Sequence, residues 1–135
     1  MDTSATTTPL PSPFEQLGGR PAIERVVARF YDLMASDPAY AGLRALHAAD
    51  LAPMKQALAG FLTGWAGGPR DWFDANPGKC MMSMHSGFTI TPATARQWVT
   101  AMERAFADCG LNDHPVALLM NERFRIIAGG MAGDL

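Results

Sequence analysis

Apolar side chains recur at intervals of three and four residues along four separate stretches of this 135-residue chain. This spacing places them on one face of an α-helix, whereas a half-buried strand would alternate apolar and polar residues. The four stretches are residues 21–37, 51–66, 92–109 and 115–129. Each has a proline in its first turn, and glycine follows three of them, as is typical of helix ends. The sequence therefore predicts an all-α fold with four substantial helices.

Three shorter segments also favour helix, namely residues 14–17, 38–46 and 79–85. The first is long enough for one turn, which Gly18-Gly19 should end. The second is predicted as a short or irregular helix. The third is too short for periodicity to separate helix from strand. We expect a short helix there because every other element is helical.

Two stretches are predicted to have no regular structure. Residues 1–12 are polar and contain two prolines, so we expect a disordered tail. Residues 70–78 are predicted as a loop, in which Trp72 and Phe73 fold back onto the core or onto a ligand. Residues 13–135 have the length of a single domain.

The composition limits the classes of function. Hydrophobic residues make up 48% of the chain and charged residues 18%, as in a globular protein. The net charge of −2 and the scattered Lys and Arg residues argue against nucleic acid and membrane surfaces as partners. No apolar run approaches the ~20 residues of a membrane span, and the first residues do not resemble a secretory signal. Cys80 and Cys109 are expected to be free thiols in a cytoplasmic protein.

The most informative segment for chemistry is residues 79–90, KCMMSMHSGFTI. His85 is a single imidazole among Met81, Met84 and Phe88, an arrangement that suits one protein ligand on the iron of a porphyrin. Methionine packs well on an irregular apolar surface. No Cys-x-x-Cys-His motif is present, which argues against thioether attachment. A lone histidine in an apolar segment is nevertheless more often a core or surface residue.

Other interpretations of the same residues stay open at this point. Cys80, Met81, Met84 and His85 are soft ligands that would suit Cu(I). A helical interaction module without a cofactor would need the apolar faces only as its core. A non-haem metal enzyme is less well supported, because the three histidines have no HExxH-type spacing.

Several motifs at linked distances resemble one protein family. They are Phe30-Tyr31, Leu43–His47 followed by Asp50-Leu51, FLTGWAGGP at residues 61–69, and Trp98 thirteen residues after His85. This series resembles the group II truncated haemoglobins over residues 14–127. The resemblance implies a globin with a two-over-two helical sandwich that binds haem b.

The resemblance also assigns roles to residues of this chain. His85 matches the iron ligand, and Tyr31 and Trp98 match hydrogen-bond donors of the distal pocket. His47 falls near the distal ligand, and Met54 stands where other globins place a distal histidine. The residues expected to contact the haem are Met54, Leu58, Phe61, Leu62, Trp65, Lys79, Met81, Met84, His85, Phe88, Ile90, Trp98 and Met102.

The segment before His85 departs from the family pattern. Many relatives carry Gly-His-Pro and an Arg-rich run there, whose arginines are expected to pair with the haem propionates. This chain has Pro77-Gly78-Lys79 and Met81-Met82-Ser83-Met84 instead. Lys79 is therefore the one nearby cation that could take the place of those arginines.

The donors imply a slow release of oxygen. Ferrous haem places partial negative charge on bound O₂, and Tyr31, Trp98 and His47 would each offer a hydrogen bond worth about 0.5–1.5 kcal/mol. Two or three such bonds would slow release by roughly one to three orders of magnitude. We therefore expect redox chemistry such as NO dioxygenation or peroxide turnover, rather than bulk oxygen transport. The expected ligands are O₂, NO and CO. We expect a monomer or homodimer, with a reductase as its protein partner.

Overall fold

The computed structural model describes residues 11–78 and 90–131. Its helices are α1 (Pro13–Leu17), α2 (Gly19–Ser36), α3 (Ala41–Arg44), α4 (Ala52–Trp65), α5 (Asp71–Ala75), α6 (Pro92–Asp108) and α7 (Pro115–Met131), with a 3₁₀ turn at Pro38–Tyr40. No strand occurs in these two segments. The prediction of an all-α fold is confirmed, whereas the predicted tail at residues 1–10 and the predicted helix at residues 79–85 lie outside the described residues.

Four helices form two packed pairs. Helix α2 packs against both α4 and α6, and α6 packs against α7, so that the α2–α4 pair meets the α6–α7 pair through α2 and α6. The largest side chains that are less than 2% exposed lie at the contacts of these helices: Phe30, Phe106, Ile23, Met34, Leu62, Met102 and Val26. This part of the core is therefore formed by the apolar faces that the spacing predicts for α2, α4 and α6. None of the helices in the described segments has the length and hydrophobicity needed to cross a bilayer.

Polar side chains satisfy backbone donors at the starts of α4 and α6. Thr91 precedes α6 and forms a reciprocal capping box with Thr94, as the Thr-Pro pair predicts. The sequence predicts Asp50 as the N-cap of a helix that starts at Leu51, but α4 starts at Ala52 and Leu51 is its N-cap. The Asp50 carboxylate still accepts a hydrogen bond from the Ala52 N–H at 3.0 Å. Its side chain thus satisfies one backbone donor of the first turn.

Two predictions about the last helix are wrong. The sequence predicts that α7 ends at Gly129-Gly130, but the helix continues to Met131, because glycine permits a helix end without forcing it. The spacing of three and four also places Leu119 on the predicted inner face with Val116, Met120, Phe124 and Ile127, but Leu119 is 58% exposed. The buried face instead includes Ala117 and Asn121, which rotates it away from Leu119.

The predicted loop at residues 70–78 contains the short helix α5, which packs on α4. Two glycines of α4 permit this approach. A Cβ atom added to Gly60 would lie 2.9 Å from the Trp72 Cβ, and one added to Gly64 would lie 2.6 Å from the Phe73 ring. Both aromatic side chains therefore fold back onto the core, which is one of the two predicted outcomes.

We expect Gly64→Ala to lower the free energy of unfolding by up to about 2 kcal/mol. Overpacking against the Phe73 ring should cost about 1–3 kcal/mol, while alanine regains about 1 kcal/mol of helix propensity. In a Phe73→Ala background the same change should be neutral or stabilising, because the clash is gone and the propensity gain is left. Urea unfolding followed by far-ultraviolet circular dichroism measures both. An equal loss of stability in the two backgrounds would contradict the proposed contact.

Candidate functional site

A cavity of about 390 Å³ lies between the residues around α3 and the start of α4 on one side and α6 and α7 on the other. Its lining in the described segments consists of Leu43, Leu46, His47, Ala48, Met54, Ile90, Thr94, Ala95, Trp98, Phe124, Ile127, Ala128 and Met131. The volume falls within the ~300–1,000 Å³ that small-molecule sites usually have. A mostly apolar wall with a few polar groups suits a flat apolar cofactor and a small ligand.

Trp98 on α6 is held in the cavity wall by two aromatic rings. Its ring centroid lies 5.5 Å from that of Phe30 and 5.2 Å from that of Phe124, and both contacts are edge-to-face. This is the geometry that aromatic pairs favour. No side chain or carbonyl in the described segments accepts a hydrogen bond from the indole N–H. The indole is therefore fixed in orientation while its donor is not engaged by those segments.

Tyr31 on α2 is 3% exposed and packs beside the cavity rather than lining it. Its ring contacts Phe30 and also His47, with centroids 5.0 and 6.0 Å away. No described residue forms a hydrogen bond with its hydroxyl. Burial raises the pKa of Tyr31 to about 12. The hydroxyl therefore keeps its proton, and its ability to donate, at neutral pH.

His47 faces the cavity in a fixed tautomer. Its Nδ1 atom lies 3.0 Å from the Leu43 carbonyl oxygen. A carbonyl oxygen only accepts hydrogen bonds, so Nδ1 must carry the hydrogen. The Nε2 atom of the neutral ring then has a lone pair, and Nε2 becomes a donor only when the imidazole is protonated.

The backbone that carries His47 is tied to the helix that carries Trp98. The Gln97 Oε1 atom accepts a hydrogen bond of 2.9 Å from the Leu43 N–H. The Arg44 guanidinium donates to three successive carbonyls, those of His47, Ala48 and Ala49, at 3.4, 3.0 and 3.2 Å. Sequence reasoning missed Gln97, because a hydrogen bond across 54 residues leaves no periodic signal. It missed Arg44 because the three acceptors are backbone carbonyls, which any residue type supplies.

The other predicted haem contacts in the described segments lie behind the cavity wall. Leu62 and Met102 are fully buried in the core, and Leu58 packs against it. Phe61 stacks on Trp65, which stacks in turn on the cavity residue Phe124 at 5.2 Å. These side chains support the wall without lining it, and their contact with a haem stays a prediction.

Five predicted site residues lie outside the described residues: Lys79, Met81, Met84, His85 and Phe88. Ile90, which directly follows that segment, lines the cavity. His85, the predicted iron ligand, precedes Ile90 by five residues in the sequence. Within residues 11–78 and 90–131, no cluster of three His, Cys, Asp or Glu side chains could hold a metal ion.

The lining residues that sequence reasoning did not assign to the site are mainly small or aliphatic. Thr94 and Ala95 precede Trp98 by one helical turn, and Ala128 and Met131 extend the wall along α7. Helical spacing from Trp98 could have identified the first two, since residues three and four apart share a face.

Comparisons with known proteins identify the family of this chain. A family model described as bacterial-like globin matches residues 12–127. No curated protein sequence matches the chain.

Solved structures match over nearly the whole chain. The haemoglobin of the thermophilic phototrophic bacterium Chloroflexus aurantiacus is 31% identical with a TM-score of 0.81, over 90% of this chain and 98% of its own. A group II two-on-two haemoglobin of Agrobacterium tumefaciens is 25% identical with a TM-score of 0.86, over 93% and 96%. A truncated, oxygen-avid haemoglobin of Bacillus subtilis is 25% identical with a TM-score of 0.80, over 90% and 98%. The resemblance predicted from the sequence is confirmed: the chain belongs to the bacterial-like globin family and shares the two-over-two fold of the group II truncated haemoglobins.

Proposed function

We propose that this globin binds haem b through His85 and holds O₂ by hydrogen bonds from Tyr31 and Trp98. Haem-based binding of small ligands follows from the family. The observation that carries the finer proposal is a pair of donors, with Trp98 in the wall of the apolar cavity and Tyr31 packed beside it, neither of which hydrogen-bonds to a described residue. The absence of a Cys-x-x-Cys-His motif supports non-covalent haem b.

The contribution of the protein is electrostatic. When bound, the haem supplies a ferrous iron that binds O₂ and places partial negative charge on it. The Tyr31 hydroxyl and the Trp98 indole N–H are the donors that would stabilise this charge, and neither must first break a bond to a described residue. The apolar lining lowers the local dielectric and so strengthens both hydrogen bonds.

The expected consequence is slow release of O₂. Two neutral hydrogen bonds worth about 0.5–1.5 kcal/mol each correspond to a release slower by roughly one to two orders of magnitude. The oxygen-avid haemoglobin among the solved structures is consistent with this direction. A globin that releases O₂ slowly is better suited to redox chemistry on the ligand, such as NO dioxygenation or peroxide turnover, than to transport. Such turnover requires a reductase that returns the iron to the ferrous state.

Stopped-flow measurement of O₂ release from the reduced wild-type protein tests the proposal. We expect release slowed by roughly tenfold or more relative to a variant that lacks both donors. Equal release rates in the wild type and in the Tyr31→Phe/Trp98→Phe variant would show that these residues do not hold the ligand. The copper and cofactor-free alternatives are not favoured, because the chain is a globin over residues 12–127.

His47 is expected to make O₂ release depend on pH. The Leu43 carbonyl fixes the hydrogen on Nδ1, so Nε2 becomes a donor only below the pKa of the imidazole, ordinarily near ~6.5. Release should therefore slow as the pH falls from about 8 to about 5. His47→Phe should flatten this profile. His114→Asn, a change at a histidine that does not line the cavity, should leave it unchanged. Superimposable profiles for the wild type and His47→Phe would show that His47 has no distal role.

A further inference from the structure

Helix α7 has a second face that the ligand site does not use. Its inner face lines the cavity through Phe124, Ile127, Ala128 and Met131. On the outer face, Leu119, Glu122, Arg123 and Ile126 are exposed. Their spacing of three, one and three residues places all four on one stripe. Leu119 is 58% exposed and Ile126 55%, so two aliphatic side chains of the same stripe lie in solvent.

The order of residue types along this stripe is apolar, acidic, basic, apolar. An antiparallel copy of the helix, related by a two-fold axis between residues 122 and 123, would reverse the order. Leu119 would then face Ile126 of the partner subunit, and Glu122 would face Arg123 of the partner subunit. The two-fold axis repeats both contacts, so each contact between the two helices occurs twice in the dimer.

The charges on the stripe favour this pairing over exposure of the stripe to solvent. Arg125 already forms ion pairs with Glu103 and with Glu122. By contrast, none of the carboxylates in the described segments forms an ion pair with Arg123. Across the axis, the Arg123 guanidinium would meet the carboxylate of Glu122 of the partner subunit, which retains a second oxygen for it.

The residues at the ends of the stripe permit the two copies of α7 to approach each other closely. Pro115, one turn before Leu119, would face Gly130 of the partner subunit, which has no Cβ atom. Leu118 is 57% exposed and flanks the same stripe. We infer that α7 is a self-association surface, on which a second copy of this chain packs its own α7 antiparallel through Leu119, Glu122, Arg123 and Ile126.

Sedimentation-velocity runs on the haem-loaded protein over a series of concentrations test this inference. We expect a reversible dimer in the wild type. Leu119→Glu should weaken the dimer by at least about tenfold, because it places a carboxylate against Ile126 of the partner subunit. The matched control Gln56→Glu adds the same charge to an exposed position of α4 and should leave the dimer unchanged. A wild type that stays monomeric at every concentration, or a dimer indifferent to Leu119→Glu, would overturn the inference.

Charge reversal tests the register. Glu122→Arg should weaken the dimer, because two arginines would then face each other across the axis. Adding Arg123→Glu should restore it, because the exchanged pair is again complementary. The exchange does not restore the ion pair between residues 122 and 125, so recovery reports the contact between subunits. Failure of the double variant to recover would exclude this register. O₂ release plays no part in these measurements, so they are independent of the proposed ligand chemistry.

Discussion

His85→Ala is expected to abolish stable haem binding. Because the sequence has no Cys-x-x-Cys-His motif for thioether attachment, the proposed bond from the His85 imidazole would be the main directed contact between the chain and the iron. The remaining contacts of the apolar cavity wall are non-directional. The measurement is the ratio of haem to protein that survives gel filtration of each variant. We expect a ratio near one for the wild type and near zero for His85→Ala.

The complementary variant His85→Gly separates loss of the ligand from loss of the fold. Added imidazole should enter the space of the missing side chain and restore the haem spectrum. His114→Ala serves as the control, since His114 hydrogen-bonds to the Gln16 carbonyl and to the Val116 N–H and does not line the cavity. Unchanged spectrum and unchanged haem retention in His85→Ala would rule out His85 as the ligand.

Tyr31→Phe and Trp98→Phe are each expected to accelerate O₂ release by roughly tenfold. Each change removes one donor and keeps an aromatic ring, and a loss of about 1.4 kcal/mol corresponds to that factor. The Trp98→Phe ring still contacts Phe30 and Phe124, so the wall should be largely preserved. Stopped-flow release rates measure both effects. Because the two donors would act on the same ligand, the double variant should depart from the sum of the single changes.

Tyr40→Phe is the matched control for Tyr31→Phe. Tyr40 is also 3% exposed, but its hydroxyl accepts a hydrogen bond from Arg104 at 3.1 Å and it does not line the cavity. Removing that hydroxyl should change stability without changing O₂ release. Wild-type release rates in both Tyr31→Phe and Trp98→Phe would refute the joint role of these donors.

The sequence predicts those helices whose starts and faces depend on interactions within one or two turns. The Thr91-Pro92 pair identifies the start of α6, because the cap and the first residue act within one turn. Helix α5 was predicted as a loop, since five residues carry too little periodicity and its position depends on Gly60 and Gly64 of another helix. Leu119 was assigned to the wrong face because apolar type alone does not show which side of α7 meets a neighbour.

The candidate site could be predicted only in part, because the sequence does not show how the helices meet in three dimensions. The resemblance assigns His47 and Trp98 to the distal ligand and Met54, Ile90 and Trp98 to contact with the haem. All four line the cavity, and their roles stay predictions. The hydrogen bond from the Leu43 N–H to Gln97 could not be predicted, because it depends on how α3 meets α6 in three dimensions. The same holds for the small wall residues, whose side chains carry no chemical signal of their own.

A haem titration of the haem-free protein, followed by absorption spectra of the ferric, ferrous and CO-bound forms, tests the central claim most directly. We predict saturation at one haem per chain, a Soret band, and a shift of that band when CO is added to the ferrous protein. A chain that shows no saturable Soret band at one equivalent, or a band that CO does not shift, would contradict the account of this cavity as a haem-based ligand site.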